Sequence, residues 1–109
     1  MIDHAAANEV ALTLEPVSPS SVVAGTPLVG IAVLGTFGTG EYGVWEMSPG
    51  AMSDVETDEV FVVLSGAATV QFLGDGTTVE LAPGSVGRLH EGARTIWTVT
   101  STLRKIWVA

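Results

Sequence analysis

The side chains able to do chemistry are concentrated in one short run, Asp54, Glu56, Asp58 and Glu59, set immediately before the apolar stretch Val60-Phe61-Val62-Val63-Leu64. Carboxylates grouped in this way can hold an oxygen-seeking divalent cation such as magnesium, calcium or manganese, or move protons as general acids and bases. Period-two geometry sends neighbouring strand residues to opposite faces, so not all four can converge. Glu59, if it opens a strand, shares its face with Phe61 and Val63. An inward carboxylate there needs a hydrogen-bond partner, a cation or a raised pKa. Its use as an acid or base further requires that a substrate reach it.

Other polar groups are sparse. His90 is the histidine within the β-rich part of the chain, and His4 lies in the leading segment. Arg88 and His90 are two residues apart, a spacing that puts both on one strand face as a polar entrance or anion site. Tyr42 can orient a ligand through its hydroxyl, and Trp45, Phe61 and Trp97 offer apolar walls for a pocket; Trp107 does the same or fills a core. Ser48 and Ser65 have no adjacent base that would make either a nucleophile. The glycines lack the Lys-Ser or Lys-Thr ending of a phosphate loop and the strand-to-helix setting of a dinucleotide fingerprint. With no cysteine in the chain, disulfides, thiolate metal ligands and cysteine nucleophiles are excluded together.

The elements that must position these groups are mostly strands. A length of 109 residues fits one domain, and 47% hydrophobic against 15% charged residues describes a globular chain. Residues 1–21 form a leading segment and connection, with a short helix expected over part of Met1 to Leu14 and a break at Pro16, Ser18 and Pro19. Residues 22–109 form the domain proper. Strands are expected over Leu28 to Leu34, Tyr42 to Met47, Val60 to Leu64, Ala68 to Leu73, Thr77 to Leu81, Ser85 to Leu89, Thr95 to Thr100 and Leu103 to Val108. Gly74-Asp75-Gly76 marks the clearest hairpin turn, whereas Ser48-Pro49-Gly50 and the acidic run after it read as turn and loop. So many short strands favour a barrel or sandwich over alternating β-α units.

Three stretches together, Trp45-Glu46-Met47-Ser48-Pro49-Gly50, Asp58 to Gly66 and Ala82-Pro83-Gly84-Ser85, resemble the cupin superfamily, and more narrowly its small single-domain branch related to ureidoglycine aminohydrolase. The ending Leu103-Arg104-Lys105-Ile106-Trp107-Val108 is similar to that branch as well. The resemblance runs from about Gly43 to Ala109. It implies an all-β double-stranded β-helix, a jelly-roll barrel around a cavity, with a divalent metal held by two histidines and a glutamate of a first motif and a histidine of a second. Glu59 matches the glutamate. The histidine positions fall on Ser53 and Val55, or Met52 and Asp54, and on Gly87, so three imidazole ligands are missing. His90 matches a position where the family commonly ends a strand with proline.

The expected function is therefore that of a small-molecule-binding barrel with a degenerate or absent metal site. No cofactor is expected, the alternative being a divalent metal on Glu59 with neighbouring carboxylates. A second reading is a hydrolase or isomerase acting on a compact polar, ureide-like metabolite with Glu59 as its acid or base. A third is a structural or regulatory homodimer that packs an outer sheet face against its copy. Twelve acidic against four basic residues, a net charge of -8, speak against nucleic acid and anionic membrane surfaces as partners. The apolar runs are too short to span a membrane, and the opening residues lack a secretion signal, so the cytoplasm is the expected location.

Overall fold

A computed structural model describes residues 1–109. Nine strands carry the chain: β1 (Glu15–Pro16), β2 (Val22–Ala24), β3 (Leu28–Phe37), β4 (Gly40–Met47), β5 (Gly50–Val55), β6 (Glu59–Phe72), β7 (Thr78–Leu81), β8 (Val86–Leu89) and β9 (Arg94–Val108), with a 3-10 turn at Pro19–Ser21. All pairings are antiparallel, and the sheet curls into an incomplete jelly-roll barrel.

Two long strands make the curl. β6 and β9 pair from Val60 with Val108 to Phe72 with Thr95, and the register shifts in the middle, around Ser65 and Ala67. Beyond that bend each strand changes its other neighbour. The first half of β9 pairs with β5 and its second half with β4, while β6 pairs first with β8 and then with β7. A bulged long strand that changes partners halfway turns the sheet a corner without ending the ladder. The expected strands Val60 to Leu64 and Ala68 to Leu73 are thus one element, as are Thr95 to Thr100 and Leu103 to Val108.

Alternation along these two strands decides the interior. Phe61, Val63, Ala68 and Val70 of β6 and Thr95, Trp97, Val99, Leu103, Lys105 and Trp107 of β9 are all buried. Their sequence neighbours are exposed or half-buried on the outer face. Met47, Met52, Leu81 and Leu89 complete the core.

The leading segment departs from expectation. Ala7–Glu9 makes a turn, not a helix. Arg104, on the outer face of β9, donates to the carbonyls of Ala7 and Val10 at 2.8 and 2.9 Å, so groups a helix would use internally are given to a tertiary contact. The segment lies against the sheet, with Leu12 to Leu14 packed on Gly30, where a Cβ would meet the Thr13 carbonyl at 2.7 Å. No helix is long and apolar enough to cross a membrane.

Candidate functional site

Inside the barrel lies a cavity of about 220 Å3, walled by β3, β4, β5, β9 and the start of β6. The ladder fixes its floor: Ile31 faces Trp45, Trp45 faces Lys105, and Lys105 faces Val63, so this row of side chains shares one face. Lys105 is only 4% exposed. Its Nζ donates to Glu59 Oε2 at 2.6 Å and sits 4.8 Å from the Trp45 ring, 4.7 Å from Phe61 and 4.8 Å from Trp97. An ammonium withdrawn from water is thus balanced by one carboxylate and three ring faces, each of which attracts a cation.

A second carboxylate is fixed beside it. Glu56 Oε2 accepts hydrogen bonds from the Thr95 hydroxyl at 2.6 Å and the Trp97 indole at 2.8 Å. Asp54 stands at the mouth. Although much of the residue is open, desolvation of its carboxyl and then the negative charge of Glu56 push its pKa above the ordinary value of 3.8. Trp107 also lines the cavity, and its Nε1–H is buried with no acceptor. Exposed Ile31 and Val55 form an apolar lip.

Of the expected site residues, Glu59, Trp45, Phe61 and Trp97 come together around Lys105. Tyr42, Arg88 and His90 do not. The Tyr42 hydroxyl rests against Gly35, and the residue lines an outer cleft with His4 and Leu34. The bulge between Val33 and Gly35 shifts the β3 partner opposite it. Arg88 is turned outward to pair with Asp58 at 3.2 Å and to bond the Leu89 carbonyl. The Glu91 amide and then Arg88 hold the Asp58 carboxyl below its ordinary 3.8. His90 is exposed just past β8. A larger, open groove of about 370 Å3 beside β7 and β8 is mainly apolar, and its one cation, Arg88, is already paired, so the convergent polar groups belong to the smaller cavity.

Sequence reasoning missed Lys105 as a cavity residue and weighed Glu56 only as one carboxylate of the acidic run. The signal for Lys105 was its place between Leu103 and Trp107, two large apolar residues at strand spacing on either side.

The metal implied by the resemblance fails the fit. No group of three or more His, Cys, Asp or Glu is arranged to hold one. Glu59 is engaged by Lys105, and at Gly87 a Cβ would lie 2.2 Å from Phe61 Cζ, so the aromatic ring fills the space a ligand side chain would need.

A curled antiparallel jelly-roll barrel with a pocket is an architecture that cupins share with other jelly-roll proteins. The match of residues 34–107 to the EutQ-like cupin domain places the chain in that family. None of the curated proteins matches it. Among solved structures it is similar to a protein of unknown function from Pseudomonas syringae pv. tomato, at 24% identity and a TM-score of 0.78 over 92% of this chain. The chain spans 44% of that protein's length. It is similar also to the EutQ protein of Clostridium difficile, with 22% identity, a TM-score of 0.64 and 75% and 67% of the two chains covered. A candidate ethanolamine utilization protein Q from Salmonella typhimurium has 19% identity and a TM-score of 0.67, with 91% and 94% covered. At these identities the likeness is one of fold.

Proposed function

We propose that this protein binds a compact polar metabolite inside the barrel, and that the ammonium of Lys105 supplies the internal positive charge that a metal supplies in other cupins. The observation carrying this reading is the placement of Lys105, enclosed by three aromatic rings and ion-paired to Glu59 at the edge of a polar cavity. Lysine is rarely this buried without a partner, and a purely structural core would be served by methionine at the same position. The cavity presents a donor at Lys105 and acceptors at Glu56 and Glu59, a combination that suits a ligand carrying a carbonyl oxygen beside N–H or O–H groups.

Thermal-shift and calorimetric titration with a panel of small amides, ureides, hydroxy acids and amino alcohols tests the reading. Ethanolamine belongs in that panel because the Salmonella relative is named for it, and ureides because of the narrower resemblance noted in the sequence. At least one compound is expected to bind the parent chain and to bind Lys105→Met at least tenfold more weakly. A folded Lys105→Met that binds as well as the parent overturns the role of the ammonium, and no binding across the panel counts against the cavity as the site.

A second reading, hydrolysis or isomerisation with Glu59 as acid or base, draws support from the 2.6 Å contact between that carboxylate and a proton donor within the cavity. Turnover of a bound ureide or hydroxy acid that drops at least a hundredfold in Glu59→Gln, with binding retained, is its expected signature. Full turnover in that variant rules the role out.

A further inference from the structure

We propose that Lys105 captures carbonyl compounds: the cavity takes a compact aldehyde or ketone and holds it as a reversible iminium on Nζ. This inference rests on the reading of the cavity as a ligand site. Lys105 is the single lysine of the chain, and that one copy is inside the barrel. Three features of its surroundings favour capture over simple packing.

The first is charge. Glu59 already pairs with the ammonium, and Glu56 and Asp54 add negative charge to the same cavity, so a neutral compound is favoured there over an anion. A neutral carbonyl compound meets no such opposition. Condensation of an ammonium with a carbonyl gives an iminium and water, so the nitrogen carries one positive charge at the start and again at the end. The ring faces and the carboxylate that stabilise the ammonium stabilise the iminium in the same place.

The second is the route for protons. Glu59 Oε2, 2.6 Å from Nζ, is placed to accept one ammonium proton and free the nitrogen lone pair. The lone pair forms the C–N bond as the carbonyl π electrons move to oxygen, which takes up a proton. A second proton from nitrogen passes through the same carboxylate to the carbinolamine hydroxyl, the C–O bond breaks, and water leaves with both hydrogens. Asp54, whose carboxyl holds its proton more tightly than usual, stands at the mouth through which that water departs.

The third is an unmet hydrogen bond. Trp107 lines this cavity and its indole N–H is buried without an acceptor, and leaving such a donor unpaired is costly. The N–H itself is closed to solvent, so a carbonyl or carbinolamine oxygen becomes its acceptor when the ring turns toward the bound compound. The cavity, about 220 Å3, limits the compound to a few heavy atoms.

The test uses the full chain with a free amino terminus, a short hydroxyaldehyde such as glycolaldehyde, and cyanoborohydride at pH 7, followed by peptide mass spectrometry. The chain offers two primary amines, Nζ of Lys105 and the α-amino group of Met1. In solution the α-amino group is the more reactive at this pH, its pKa of about 8 lying below the lysine value of about 10.4. Reduced adduct on Lys105 at least tenfold faster than on Met1 is the expected result, since solution chemistry gives the opposite order. Adduct on Met1 alone, or on both at similar rates, overturns the inference. A thermal shift with the aldehyde but no Lys105 adduct overturns capture and leaves ligand binding standing; the absence of both shift and adduct also overturns capture, and the separate panel titration then decides the cavity reading.

Discussion

At the scale of single residues, the Lys105–Glu59 pair is asymmetric, and the asymmetry is measurable. The Lys105 side chain is 5% exposed and that of Glu59 16%, so the carboxylate can regain water if its partner is lost and the ammonium cannot. Glu59→Gln should therefore lower stability by about 3 kcal/mol, because an uncompensated buried charge remains. Lys105→Met should cost about 1 kcal/mol, since the thioether fills the space among the rings. The double variant should fall closer to the parent than Glu59→Gln alone. Urea denaturation decides the order, and a costlier Lys105→Met would show that the rings, not Glu59, hold the cation. Asp54 gives a pH signature of its own. Because its folded pKa is raised above 3.8, the folded state binds the proton more tightly, and stability declines as pH rises from that value through the folded pKa. Asp54→Asn keeps the acceptor for the Val55 amide and removes the charge, so it should melt higher than the parent at pH 7, with the difference shrinking toward pH 3.8.

At the scale of elements, the bend in β6 depends on Gly66. Its φ of +94° is strained for any residue with a side chain, and an added Cβ would lie 2.1 Å from the Thr102 carbonyl oxygen, a backbone atom with little freedom to retreat. Gly66→Ala should cost roughly 2 to 4 kcal/mol in chemical denaturation, and a loss below about 1 would mean that β6 can straighten. The alternation that puts Phe61 and Val63 inward was legible in the sequence, as was the turn at Gly74-Asp75-Gly76, where Asp75 accepts from the Thr77 amide and hydroxyl. β5 was not legible. Gly50, Ser53 and Asp54 have weak strand preference, and the strand exists because distant β9, from Arg94 to Val99, supplies its ladder partners. The same long-range pairing carries Glu56, read as loop chemistry, onto the Thr95 hydroxyl and the Trp97 indole. Of the candidate site, Glu59 was legible through its spacing to Gly66, which matches the glutamate of the family's first motif. Tyr42 was weighed as a pocket residue for its hydroxyl and His90 for its two-residue spacing from Arg88, and neither signal registers the β3 bulge or the end of β8.

At the scale of the whole molecule, two adjacent residues of β9 serve opposite faces of the sheet. Lys105 points into the barrel, whereas Arg104 points out, pairs with Glu46 at 3.0 Å and ties down the carbonyls of Ala7 and Val10. These bonds join positions far apart in sequence and fasten the leading segment across β3, β4 and β9, where Val44 is fully covered. The Arg104 side chain is 12% exposed, so its ion pair is shielded more than a surface pair and is worth correspondingly more. Arg104→Ala leaves Glu46 and two carbonyls short of donors and should lower stability by about 2 kcal/mol. It should also release the segment: amides over residues 1–14 should exchange faster, and protease should cut there first. Because period two separates the two side chains onto opposite faces, ligand affinity in the cavity should change less than threefold while that release occurs. Parallel loss of affinity and of segment protection in this variant would show that the outer segment braces the Lys105 cage, and that the two faces of β9 act as one unit.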